Sequence, residues 1–233
     1  MRVQPVTTLT AAGLRAPRAA AIAGIVFAIL LVASLVLLRR SVPDDPLEAG
    51  AWLRTRADSV ALALNLVPFA GIAFLWFIGV LRDRLGARED RFFATVFLGS
   101  GLLFLAMLFV AAAVAGGIIL AFAAAPDLVL GSATFALARA ITHEIMGIYA
   151  IKMAGVFMIA TSTLALHTGF IARWIAFLGY VLALLLLFSG RRIEGILLAF
   201  PLWVLLVSLH ILIGELRRPS TAGSPALEKH NHD

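Results

Sequence analysis

Lys152 stands inside a long apolar run, 145–166, where an ammonium group is costly unless it is paired or used. On a helical wheel Thr163 falls about 20° from it, and Gly155, Glu144 and Tyr149 fall within about 80°. One flank of that helix therefore carries an acid, an ammonium, a phenol, a hydroxyl and a gap left by glycine. Asn65, which interrupts a second apolar run, completes the candidate set for an intramembrane polar site. Such a set can hold a ligand or move a proton. It can equally be a structural ion pair, or a lysine whose stem carries its ammonium to the headgroups. Glu144 lies two turns away, so it meets Lys152 only through water or a neighbouring helix.

The histidines suggest a different chemistry. His167 closes one apolar run and His210 lies near the end of another. Two imidazoles at one depth on different helices can ligate a b-type haem, although histidines at helix C-termini also serve simply as cations. His143-Glu144 starts like a zinc-protease motif, but position 147 is glycine and the second histidine is missing. His230 and His232 sit in the C-terminal tail and are expected to bind metal at most weakly. The hydroxyls of Thr161, Ser162 and Thr163 are expected to bond back to their own helix or a neighbour. There is no cysteine, which excludes thiolate catalysis and thiolate metal sites. No nucleophile elbow, phosphate-cradling loop or intramembrane carboxylate pair is present. The residues thus point to a non-enzymatic protein without a resident cofactor or metal, haem being the alternative.

These side chains must be held by membrane helices. The chain is 62% hydrophobic and 14% charged, with a mean hydropathy of +1.01. One soluble core of 233 residues cannot hide that much apolar side chain. Six apolar stretches, about 19–38, 60–81, 93–125, 145–166, 171–188 and 193–214, are near or above the ~20 residues that cross a ~30 Å hydrocarbon layer. The expected fold is all-α with six transmembrane helices over 18–218, flanked by mobile tails at 1–17 and 219–233. The first run is too long for a cleaved leader and reads as a retained span. The net charge of +6 comes mainly from arginines at span ends, which suits anionic headgroups and not nucleic acid. With both termini inside, the cytoplasmic segments hold 11 Lys and Arg against 7 outside, the orientation expected for a plasma-membrane protein.

Several local features carry further expectations. Asp45-Pro46 with Glu48 reads as a helix start that runs into the second span and sets Trp52 at the interface. Pro68 and Pro201 should kink their spans. Gly86 is placed to stop the second span, and Glu89 and Asp90 favour the start of the third. The third span, about 33 residues or ~50 Å, is too long for the bilayer. It should tilt, project or break, with Gly116-Gly117 as the expected break and Pro126-Asp127 as its end. Helix resumes from Ser132, so the third and fourth spans would form a tall outer hairpin. Gly99, Gly101, Gly116 and Gly117 would let backbones approach closely. Gly169 permits a left-handed turn between two helices, and Arg173 and Trp174 anchor the entry of the fifth span.

Two segments carry a resemblance. Residues 74–86, FLWFIGVLRDRLG, and 161–180, TSTLALHTGFIARWIAFLGY, resemble the span and span-turn-span patterns of uncharacterised bacterial multi-span membrane proteins of six-helix type. In that family's turn a proline often stands where this chain has Ala172. The resemblance implies architecture and no chemistry. The expected role is structural, accessory or sensing, with the lipid bilayer as partner and a homo-oligomer as one expected arrangement. The alternative is a small transporter or channel built around Lys152 for an unidentified ligand.

Overall fold

The computed structural model describes residues 16–42, 50–85, 91–169, 171–188 and 195–217, and these are helical with short connections and no strand. The helices are α1 (Ala16–Ser41), α2 (Ala51–Thr55), α3 (Ala57–Leu85), α4 (Arg91–Ala124), α5 (Pro126–Val129) and α6 (Ala133–Glu144). A π-helical segment, Ile145–Ala150, joins α6 to α7 (Ile151–Thr168). After α8 (Arg173–Phe188), a 3₁₀ turn at Ile196–Leu198 leads into α9 (Ala199–Leu216).

Five helical stretches are long and apolar enough to cross a membrane: 18–41, 57–82, 94–124, 133–168 and 196–216. α8 is a shorter apolar helix of 16 residues, or ~24 Å. Each of these helices buries one side and turns large apolar residues outward. Ile29 on α1, Trp76 on α3, Phe177 on α8 and Leu202 on α9 are all at least half exposed. A surface so apolar has no counterpart on a water-soluble domain, so the chain is a multi-pass membrane protein.

The packing order runs α9, α1, α3, α4, α7, α8, and a light contact between α8 and α9 closes the ring. Rings from five helices fill its middle. Phe74 of α3 meets Phe27 of α1 at 4.6 Å, Phe157 of α7 at 5.3 Å, Phe104 of α4 at 5.6 Å and Phe200 of α9 at 5.7 Å. Tilted and edge-to-face pairs at these separations are favourable beyond the area they bury. A second apolar cluster caps the α6-side end of the bundle. It joins Trp52 and Leu53 of α2, Val60 of α3, Ile118 of α4 and Phe135 of α6.

Several expectations change. α1 begins at Ala16, inside the expected tail. α2 does not run into α3, because Arg56 between them leaves helical geometry at φ −136°. Trp52 is 6% exposed and lies in the second cluster, packed with residues of α3, α4 and α6. Pro68 stands inside α3 without ending it. Pro201 falls in the first turn of α9, where a missing N–H costs little, so it marks a start and not a mid-span kink. α4 runs unbroken through Gly116-Gly117. A Cβ on Gly99, Gly116 or Gly117 would meet nothing within 4 Å, whereas Gly101 does lie against Ile78 and Phe157. The expected tails beyond residues 16 and 17, the Asp45-Pro46 start, and Gly86, Glu89 and Asp90 lie outside the described residues.

Gly169 does take the left-handed conformation, at φ 72°, as the C-cap of α7. Its N–H returns to Ala165 O at 2.8 Å, and α8 then packs back along α7.

Candidate functional site

The polar residues sit on the outside of this bundle. Lys152 is exposed on the first turn of α7, and Tyr149 is 56% exposed in the π segment one turn earlier. The two residues between them, Ala150 and Ile151, are buried. Asn65 is exposed on α3, and Glu144, at the end of α6, is partly buried. Lys152 and Tyr149 therefore share one surface, and Asn65 belongs to another helix.

Thr163 lies farther down α7 and is part of a helix contact. Its hydroxyl donates to Ile159 O at 2.9 Å, so at the 2.7 Å contact with Tyr180 of α8 the tyrosine is the donor. The neighbouring hydroxyls divide. Thr161 donates to Phe157 O at 2.7 Å in the expected back-bonded form. Ser162 is fully buried, with no partner among the described residues, against Gly179 of α8 and the indole of Trp203. Trp203 Nε1–H instead donates to Ile175 O at 3.3 Å, tying α9 to α8.

The two histidines behave differently. His167 is exposed near the end of α7. His210 of α9 is partly buried, and its Nε2 accepts the Ala172 N–H at 3.3 Å. This is a cap supplied from another helix, because the first amides of α8 have no intrahelical acceptor. The ring nitrogen that a haem iron would need is thus occupied with the start of α8. Ala172 can donate here because it is not a proline. Among the described residues no group of three or more metal-ligating side chains converges.

Above the phenylalanine middle lies a small apolar crevice. It is lined by Leu31 and Leu35 of α1, Phe104 of α4, Met146 and Ala150 of the π segment, and Leu197 of the 3₁₀ turn, among others. Its volume of ≈ 10 Å³ admits about one water, and the side chains that line it are apolar.

Some structural polar residues gave no signal in the sequence. Ser34 of α1 donates to Ala63 O of α3 at 2.8 Å, and Ser208 of α9 is buried against Gly24 of α1. Glu215, near the end of α9, is 8% exposed. Only Tyr180 could have been anticipated as a partner for Thr163, since Thr163 lies five residues before the end of α7 at Thr168 and Tyr180 seven after the start of α8 at Arg173.

No family model, curated protein or solved structure matches this chain.

Proposed function

We propose that this chain is a six-span protein of the plasma membrane, with both termini in the cytoplasm, that acts through its surface as a structural, accessory or sensing component. It carries no solute through its centre and performs no catalysis. α8 is the sixth span, and the α4–α6 hairpin rises beyond the outer face, since α4 alone is 34 residues, ~51 Å, long.

The observation that carries this reading is the middle of the ring. Phe27, Phe74, Phe104, Phe157 and Phe200 occupy the axis along which a solute would travel, and each is no more than 4% exposed. Lys152 and Asn65, the cation and the amide of the candidate set, face outward.

The absence of cysteine makes the test direct. A single Phe200→Cys should resist a water-soluble thiosulfonate in reconstituted protein, while Lys152→Cys in the same preparation reacts. Rapid modification of position 200 would reveal an aqueous path and overturn the reading. Thr8→Cys and Thr221→Cys should both be shielded from an impermeant maleimide in intact cells and react after lysis. Labelling of one terminus alone in intact cells would refute the six-span topology.

A further inference from the structure

We propose that Lys152 and Tyr149 form a binding site for the phosphate of an anionic phospholipid, on the surface of the bundle toward its α6 end. The inference rests on the reading above, that the chain works through its lipid-facing surface, and assigns a ligand class to one place on it.

Four observations converge there. First, neither the Lys152 ammonium nor the Tyr149 hydroxyl has an acceptor among the described residues. Charges at membrane depth are rarely left unpaired, so this ammonium calls for a counter-charge from outside the described residues. Second, both groups are exposed on neighbouring turns of one helix, and together they offer an ammonium and a phenolic O–H, both donors to phosphate oxygen.

Third, depth places them at a headgroup. Lys152 lies 16 residues, ~24 Å, from the α7 terminus at Thr168. Its side chain leans toward the helix N-terminus, which adds several ångströms along the flexible stem. The ammonium therefore reaches about one hydrocarbon thickness, ~30 Å, from the far interface.

Fourth, the neighbouring helix stops at this level. Gly155 lies against Ala183 and Leu187 of α8, so α8 ends at Phe188 beside the turn that holds Lys152. Phe188 is 84% exposed, and Leu184 and Leu185 below it on α8 are also exposed. Uncovered among the described residues, this apolar flank suits acyl chains, and the cation at its upper end suits an anionic headgroup. An incoming protein helix would have to supply a buried acid opposite Lys152, whereas a lipid brings its phosphate to that height without further cost. The π segment also belongs to this surface, because it inserts a residue between α6 and α7 and sets where Tyr149 points relative to Lys152.

The test uses the full-length protein in detergent, offered equal amounts of dioleoyl phosphatidylglycerol and dioleoyl phosphatidylcholine, with retained lipid read by native mass spectrometry. Wild type should retain one phosphatidylglycerol in preference to phosphatidylcholine. Lys152→Met should reduce that preference about fivefold, the effect of one cation near a headgroup. Lys152→Arg should keep it, and Tyr149→Phe should weaken it less than Lys152→Met does. All three substitutions lie on the exposed surface, and an unchanged gel-filtration profile checks that the bundle is intact. Equal retention of the two lipids by wild type, or an undiminished preference in Lys152→Met, overturns the site. Failure of the site leaves Phe200→Cys unreactive, so it is distinguishable from failure of the functional reading.

Discussion

The middle of the bundle and its α6-side end are both apolar clusters, but they are built in opposite ways. The middle takes one or two rings from each of five long helices, and Phe74 touches rings from four others. The end cluster takes its residues from short elements and helix ends: Trp52 and Leu53 from a five-residue helix, Val60 from the first turn of α3, and Phe135 from the first turn of α6. In the middle, losing one ring leaves a void that no neighbour can fill, because rigid helices on every side hold the wall in place. At the end, short elements can settle inward, so the same loss is partly absorbed.

The contrast yields ordered expectations, each read as a shift in an SDS or thermal unfolding midpoint of purified protein. Phe74→Ala should cost most, about 4 kcal/mol, as a large-to-small change at a closed site. Trp52→Ala removes a larger side chain yet should cost only about 2 kcal/mol, with a new protease-sensitive region confined to residues 50–60. An equal or larger loss for Trp52→Ala would reverse the assignment of which cluster holds the bundle together.

Third, Gly179→Ala should cost about 1.5 kcal/mol, because its Cβ would enter the space of the Ser162 hydroxyl and the Trp203 indole. Ser162→Ala alone should be close to neutral or stabilising, since it removes a buried hydroxyl with no partner among the described residues. The double variant should recover part of the Gly179→Ala loss, and strict additivity would show that the two residues do not meet. Smallest is Tyr180→Phe, about 0.6 kcal/mol, for the bond from its hydroxyl to Thr163 between α7 and α8. No effect there would mean that apolar packing alone holds the α7–α8 hairpin.

The membrane class, the apolar runs and the Gly169 turn were legible from residue order. The first two depend on how many apolar side chains lie in succession, and the third on glycine's access to positive φ. The paired length of α4 and α6–α7 was legible for the same reason. Less legible were breaks inside helices. Gly116-Gly117 has weak helix propensity but continues within α4, because in an apolar setting each backbone group must keep its intrahelical bond. Pro201 was visible, but whether it kinks a span or opens one depends on where the 3₁₀ turn places the start of α9.

The candidate polar residues show the same division. Sequence alone put Lys152, Tyr149 and Thr163 on one flank of a helix, since a 3.6-residue period fixes relative direction along one element. It had no means of finding what lies opposite. The fold places Tyr180 opposite Thr163, Ala172 opposite His210, and nothing of the described chain opposite Lys152. Residue order therefore determined the solvent of this protein and the facing of each helix. Which faces meet, and which are left for lipid, was decided only when six helices closed around Phe74, because contacts between distant segments depend on shape and have no local code.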